Sequence, residues 1–570
     1  MRIIKLILEV LDDKSKKLAF LLLLASLMVV ILELLSISAF LPIGNYISNK
    51  EVNLLFLDKL IKNQPYDILF LITAIFLTVF LFKFLFLLFF TFFKNYFTQF
   101  LTNNLTLRLY SIYLSQNYNY FKEKHSSYFV RNITYEVNLF LSAFNSIITI
   151  FLEASVVLVI IILMITVQPI ETMIIFFFLL IFMVFTFIYT KPILDKWGKI
   201  RQESDFLKLK YLQETINSIK DLKIYRVDSF FKNKFSKALK LSTKSGKIRA
   251  ILQEIPRHLI EILLIIAIVA NILVLSILDY KINEIIGILS VYGVAALRLL
   301  PAFNKLLHNF QQLRYTTASA ELINTEFKLF NLNLTPIKKD NNFEFKNIKL
   351  ENVNFNFKDK KILKNINLQI DQGTAIGLFG ESGSGKSTLL NILNGLEKIN
   401  NGSFKINDSD FNDTNKFLFL DKVGYVASDT YILDDTIEKN ITLSDEDINK
   451  ELINKVIEVS LFNKVLDQNE RDNFEDIGEG GNKLSSGQRQ RLAIARALYR
   501  RPQVLFIDEG TNALDKASEI LVLNNLKKYS LKQKMTLIMI THRTETLKIF
   551  DKIYEISDGN LEEKKMSNLN

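Results

Sequence analysis

The residues of this chain best suited to do chemistry lie in its second half. The run Gly380-Glu381-Ser382-Gly383-Ser384-Gly385-Lys386-Ser387-Thr388 follows an apolar stretch, Thr374–Phe379, and precedes a Leu-rich helical pattern. Its glycines let backbone N–H groups turn towards an anion, Lys386 brings a positive charge, and Ser387 places a hydroxyl at a helix start. That is how a chain cradles phosphate and holds Mg2+. Further on, Val504-Leu505-Phe506-Ile507 reads as a buried strand that ends in Asp508 and Glu509. Asp508 suits a metal ligand and Glu509 suits polarising an attacking water. Two acids at a strand end are weak evidence alone, and a Gly-rich turn can be purely structural. The Lys-Ser ending of the loop argues against that blander reading.

Between these lies Leu484-Ser485-Ser486-Gly487-Gln488, followed by the helical stretch Arg489–Tyr499. This resembles the signature motif of ABC ATPases. Asp476-Ile477-Gly478-Glu479-Gly480 before it, Asn512-Ala513-Leu514-Asp515 at the place of the D-loop and His542 after the apolar strand Met535–Ile540 complete the set. The resemblance covers about Glu344 to Asn560 and implies a cytosolic α/β P-loop domain that hydrolyses ATP with Mg2+. It implies ATP binding by residues 380–388, Ser387 and Asp508 on the metal, and Glu509 and His542 as catalytic residues. It also implies a sandwich in which ATP lies between the P-loop of one copy and Ser485, Ser486, Gly487 and Gln488 of another. Phe357 stands where the family stacks an aromatic on adenine, although Phe355 and Phe357 also suit a strand core. Three positions depart from the pattern. Ser428 stands where the Q-loop glutamine is usual, Ser486 replaces the first signature glycine, and Asn512 replaces the D-loop serine. Because Glu509 and His542 are retained, a homodimer is expected ahead of a heterodimer. Ser428 and Asp515 are the candidates for coupling nucleotide to the rest of the chain.

What positions this machinery is a different kind of sequence. The chain has 570 residues, 49% hydrophobic with 47 Phe, more than a soluble core needs. The long apolar runs fill the first 300 or so positions, and six spans are expected at approximately 18–41, 68–93, 141–167, 173–189, 259–278 and 285–300. The expected division is a transmembrane domain over 1–330, a linker over 331–342 and the ATP-binding domain over 343–570. A net charge of +11 raises the question of nucleic acid, yet the basic residues concentrate between apolar runs, with 17 Lys and Arg between Lys191 and Arg257. Membrane topology accounts for that distribution and no nucleic-acid partner is expected. Arg2, Lys5, Lys14, Lys16 and Lys17 before the first span, and Arg108, Lys122, Lys124 and Arg131 after the second, place both termini in the cytoplasm. The absence of cysteine excludes disulfides, thiolate metal sites and a cysteine nucleophile. Helical periodicity continues into the long cytoplasmic connections, and Tyr118–Lys124 and Glu214–Leu222 are the segments expected to dock on the ATPase.

Six spans fused ahead of an ABC ATPase resemble the exporter type of this superfamily, in a bacterial inner membrane. Within the spans Glu33, Lys83, Glu153, Glu261 and Arg298 stand in apolar context, where an ionisable group needs a wet cavity or a partner. Snorkelling suffices for Glu261 and Arg298 near span ends, less so for Glu33, Lys83 and Glu153. Residues 44–67 carry Val52, Leu55, Phe56, Lys59, Leu60 and Lys62 at helical spacing, which fits a short amphipathic helix at the external interface. Together with Ala296-Leu297-Arg298-Leu299-Leu300-Pro301 this resembles the bacterial lipid-linked oligosaccharide flippases of protein N-glycosylation (PglK-type). The resemblance implies a lipid-linked glycan as substrate, membrane lipid as a partner, and Arg298 as a cation for its pyrophosphate. A general lipid, drug or peptide exporter is the second reading. A soluble ABC ATPase is a remote third, excluded if the apolar runs insert.

Overall fold

The computed structural model describes residues 2–38, 65–167, 169–277, 282–330, 343–358, 360–446, 448–464 and 477–565. The proposed external helix Val52–Lys62, the linker 331–342 and Asp476 lie outside these residues. The chain divides into two compact units, one of residues 1–116 and 120–334, the other of residues 117–119 and 335–570.

The first unit is helical throughout its described residues. A short helix α1 (Arg2–Val10) leads into α2 (Asp13–Ser38). Four more long helices follow: α3 (Pro65–Leu114), α4 (Val137–Val167), α5 (Pro169–Asn217) and α6 (Asp228–Ile277). Then come α7 (Ile282–Tyr315) and α8 (Thr317–Phe330). Proline opens α3 and α5, where its missing N–H costs nothing. Four of the described helical stretches, Asp13–Ser38, Thr73–Leu114, Ser126–Ile165 and Phe176–Asn217, are long and apolar enough to cross a membrane. The expected fifth and sixth spans fall in α6 and α7, on either side of residues 278–281, which are not described.

Helices of 50 residues such as α3 and α6 are about 75 Å long, more than twice the roughly 30 Å of bilayer hydrocarbon. Helices of that length leave room for extensions beyond the hydrocarbon. They are braced by buried charge rather than by apolar packing alone. Fully buried Glu136, in a π-helical turn Asn132–Glu136, receives both terminal nitrogens of Arg201, each at 3.3 Å. Buried Glu326 accepts from the hydroxyls of Tyr120 at 2.8 Å and Tyr128 at 2.6 Å. An ion pair buried this way costs desolvation but fixes the register of the helices it joins. A short helix Tyr118–Glu123 lies within one of the segments singled out for docking, and another, Ile219–Tyr225, overlaps the end of the second.

The second unit has two sheets. Strands β1 (Asn347–Phe357), β2 (Lys360–Asp371), β4 (Asn401–Ile406) and β5 (Ser409–Asp410) form an antiparallel sheet in the order β2-β1-β4-β5. The larger sheet holds β3 (Ala375–Phe379), β6 (Val423–Val426), β7 (Val504–Asp508), β8 (Thr536–Ile540), β9 (Lys552–Ser557) and β10 (Asn560–Lys564). Its order is β10-β9-β3-β8-β7-β6, parallel except for the β9–β10 hairpin. The parallel strands β3, β7 and β8 are buried on both faces, which is why they read as continuous apolar runs. Three helices carry the motifs: α9 (Lys386–Leu393), α10 (Ser486–Tyr499) and α11 (Lys516–Gln533). In such a sheet, ligands bind beyond the carboxyl ends of the strands. The loops after β3, β7 and β8 hold the phosphate loop, Glu509 and His542.

Candidate functional site

The phosphate loop is shaped by backbone that only glycine tolerates. Gly380 has φ +146°, and a Cβ there would lie 2.2 Å from the Ile556 carbonyl oxygen. Gly383 has φ +83° with nothing within 4 Å of an added Cβ, so the crest of the loop is open to an incoming group. Glu381, Ser382 and Gly383 are exposed. Ser384 Oγ is buried without a hydrogen-bond partner, an oxygen left for a ligand to satisfy. The Lys386 ammonium donates to the carbonyls of Gly380 at 2.9 Å and Glu381 at 2.7 Å. Burial pulls its pKa below the ordinary lysine value, opposed by the charges of Glu509 and Asp508. A phosphate would restore a full counter-charge. Thr388, half-buried, continues α9.

Ser387 Oγ donates to Asp508 Oδ1 at 3.4 Å, which joins the start of α9 to the end of β7. Burial raises the Asp508 pKa, and repulsion from Glu509 adds to it, while the Ser387 hydrogen bond and Lys386 work the other way. Two hard oxygens side by side and a carboxylate short of positive charge fit Mg2+. Among the described residues no group of three or more His, Asp or Glu could hold a metal by itself. Ser387 and Asp508 would therefore hold Mg2+ together with substrate oxygens. The ion would supply charge neutralisation on the phosphates.

Glu509 sits at φ +52°, a left-handed conformation that turns the chain sharply off β7. Its Oε1 lies 2.6 Å from His542 Nε2, and its Oε2 accepts from Asn512 Nδ2 at 2.9 Å. The structure thus brings Lys386, Ser387, Asp508, Glu509 and His542 to one end of the parallel sheet. Ser428, exposed and two residues past the end of β6, lies at that same end, where β6 pairs with β7.

The signature residues form a helix start. Ser485 caps α10 by accepting from Gln488 N, and Gln488 Oε1 accepts in turn from Ser485 N at 2.7 Å. This capping box leaves Ser486 and Gly487 in the first turn, where free N–H groups and the helix dipole favour an anion. Asp515 caps α11 by accepting from Ser518 N at 2.9 Å, and hydrogen bonding by the Ser518 side chain, then by its N–H, holds the carboxyl below the usual range. Phe355 is buried in the core beneath the antiparallel sheet, whereas Phe357 is 54% exposed at the end of β1. Of the two, only Phe357 presents a ring to a ligand.

In the first unit the isolated ionisable residues meet. Glu33 Oε2 lies 2.8 Å from Lys83 Nζ, which also donates to Ser36 Oγ at 2.9 Å. Arg298 pairs with Glu33 through Nε, and its Nη2 lies 3.7 Å from Glu153 Oε2. Lys305, which sequence reading passed over, joins the set at 2.7 Å from Glu153 Oε1. Its signal was available: Lys305 falls seven residues after Arg298, on the same helical face. Arg298 is consequently not a lone cation snorkelling from a span end, since two carboxylates already engage it. Glu261, by contrast, is half-buried and pairs with Arg257 one turn earlier.

Residues 363–512 match the family described as ABC transporter, and residues 20–294 match the ABC transporter transmembrane region. An ABC ATPase domain follows an ABC transmembrane region in this chain. The chain is 34% identical over 265 residues to the leukotoxin translocation ATP-binding protein LktB of Mannheimia haemolytica, covering 46% of this chain and 36% of that one. It is 34% identical over 215 residues to a probable ABC transporter ATP-binding/permease protein of Haemophilus influenzae, covering 38% of each. The chain thus spans well under half the length of these curated relatives. A bacterial Atm1-family ABC exporter with ATP bound superposes with a TM-score of 0.79 at 17% identity, over 98% of this chain and 96% of that one. The fold is that of an ABC exporter, a helical transmembrane domain joined to an α/β ABC ATPase.

Proposed function

We propose that this ABC chain is one half of an ATP-driven exporter or flippase that acts as a homodimer in a bacterial inner membrane and moves a lipid-linked oligosaccharide or related lipid. The observation that carries the ATP-driven part is the convergence of Lys386, Ser387, Asp508, Glu509 and His542 at one sheet end. That set places a phosphate counter-charge, two metal-binding oxygens and an oriented carboxylate together. In this reading Lys386 and the loop amides bind the β and γ phosphates, and Glu509 polarises the water that attacks the γ phosphorus. His542 keeps the Glu509 carboxylate turned towards that water. One P-loop and one signature per chain make a second copy part of each site.

The lipid part is supported by the charge cluster. Lys83, Arg298 and Lys305 pair with Glu33 and Glu153, and Lys94 stands close enough to feel both Glu153 and Lys305, so positive charge is in excess among these apolar helices. An anionic headgroup would balance it. Because Arg298 is already paired, such a headgroup has to displace Glu33 or Glu153 rather than enter an empty pocket. Export of a drug or peptide is the second reading, favoured by the likeness to a leukotoxin translocator.

The test is a reconstituted one. In proteoliposomes carrying labelled lipid-linked oligosaccharide, ordinary phospholipid or drug, the wild-type chain should flip the first at the cost of ATP. Glu509→Gln should bind ATP yet lose about 10²–10⁴-fold in turnover, the range spanned by a positioned general base. Unchanged turnover in Glu509→Gln would sink the catalytic assignment. ATP-driven movement of drugs with no movement of the glycolipid would replace the proposed substrate.

A further inference from the structure

We propose that Asn512 is a positioning residue for Glu509, an inference that rests on the reading of Glu509 as the water-polarising carboxylate. A glutamate carboxylate turns about a broad, two-fold terminal torsion, so one hydrogen bond leaves it free to swing. Here both oxygens are engaged. His542 Nε2 lies 2.6 Å from Oε1 and Asn512 Nδ2 donates to Oε2 at 2.9 Å, which fixes the plane of the carboxylate and the direction of its remaining lone pairs.

Asn512 is itself held. Its backbone N–H donates to the Glu509 carbonyl at 3.1 Å and closes the turn that begins at the left-handed Glu509. Its carbonyl accepts from Arg543 Nη2 at 3.4 Å, and Arg543 pairs with fully buried Glu519 on α11. Glu519 also accepts from buried Thr511 at 2.6 Å. The next residue, Ala513, donates its N–H to Gln490 Oε1 on the signature helix α10 at 2.9 Å. Asn512 therefore sits where the turn bearing Glu509, the loop bearing His542 and the signature helix are tied together. A serine at this position carries a donor one bond closer to the backbone and reaches less far. The amide is what spans the gap to Oε2.

The positioning role predicts a pattern that a surface role would not. Asn512 is exposed, so substitutions there leave the core of the domain untouched. In the full-length chain in nanodiscs, Asn512→Ala should lower kcat by about 10- to 100-fold, the upper figure being what a misplacement of about 1 Å costs a reacting group. ATP affinity and thermal stability should stay at wild-type values. Asn512→Asp keeps the shape but sets a second carboxylate against Oε2. It should lower kcat further, because a carboxylate set against Oε2 repels it where the amide donated. Asn512→Ser, which retains a donor, should fall between alanine and wild type. A wild-type kcat in both Asn512→Ala and Asn512→Asp would overturn the proposal. So would a change confined to the ATP concentration dependence or its cooperativity, which would place the side chain at the partner instead. Glu509→Gln, measured alongside, separates the two claims: full turnover in that variant would remove the reading of Glu509 itself.

Discussion

Arg298→Ala removes the residue that joins the two carboxylates of the membrane cluster, and the structure sets the size of the effect. Breaking a buried ion pair by deleting one partner costs about 3–5 kcal/mol when the other is left alone. Here neither carboxylate is left alone, because Glu33 keeps Lys83 at 2.8 Å and Glu153 keeps Lys305 at 2.7 Å. The loss reduces to one charge-assisted hydrogen bond to Glu33 and a longer attraction to Glu153, about 1–3 kcal/mol together. Spread over the large helical unit, that is a fall in midpoint temperature of roughly 2–10 °C. Glu33→Gln should cost at least as much, since it strips Arg298 of its nearest carboxylate and leaves Lys83 with Ser36 and the Phe80 ring and no carboxylate at contact distance. The two substitutions share one interaction and should be non-additive by about 1 kcal/mol or more in a double-mutant cycle. The assay is thermal unfolding of the purified chain in nanodiscs, read alongside ATP turnover and glycolipid flipping. Turnover without substrate should persist in Arg298→Ala, because no nucleotide-site residue is touched, while flipping should be lost. Additive costs within error would refute the shared network. Surviving flipping would refute the headgroup role.

Two further expectations concern the nucleotide site. Ser428→Gln restores a longer amide at the sheet end beside β7, and it should raise substrate-stimulated ATP turnover more than basal turnover; equal or absent effects would show that position 428 does not couple. The raised Asp508 pKa has a definite sign. Mg2+ takes up the ionised carboxylate, so acidification competes with the ion from a pH above the ordinary aspartate range of about 3.9. Apparent Mg2+ affinity for the ATP-loaded chain should fall on that side. In Glu509→Gln, where the neighbouring negative charge is gone, the fall should move to lower pH. Identical pH dependence in the two proteins would show that the Asp508–Glu509 repulsion is not felt.

The ATPase was legible because its chemistry is local. A strand, a glycine-shaped turn and a helix start follow one another along the chain, so Gly380 to Thr388 announce their geometry by order alone. Strands β3, β7 and β8 were equally plain, since burial on both faces writes an unbroken apolar run. The Glu509–Asn512 bond was not legible, although both residues were singled out. Nothing in the identity of Asn512 says that the left-handed turn at Glu509 brings its amide back onto the carboxylate three residues earlier. The departure from serine was visible, its use was not.

The membrane cluster shows the same limit over a longer distance. Glu33, Lys83, Glu153 and Arg298 were each suspicious for being ionisable in apolar surroundings, but their partners lie on α2, α3, α4 and α7, and sequence spacing carries no information about which helices adjoin. The desolvation argument, however, does more than flag single residues. Each buried charge requires a partner within a few ångströms, and the expected spans offered few candidates of opposite sign. That Lys83 and Arg298 meet acidic partners was open to inference before any coordinates; which of Glu33, Glu153 and Glu261 they meet was not. What that reasoning could not supply was Lys305, which lies beyond the expected end of the sixth span at residue 300. With four charges the cluster balances and needs no ligand. With Lys305, and with Lys94 close enough to feel Glu153 and Lys305, positive charge outnumbers negative, and that imbalance, rather than any single arginine, is the physical reason to look for an anionic headgroup there.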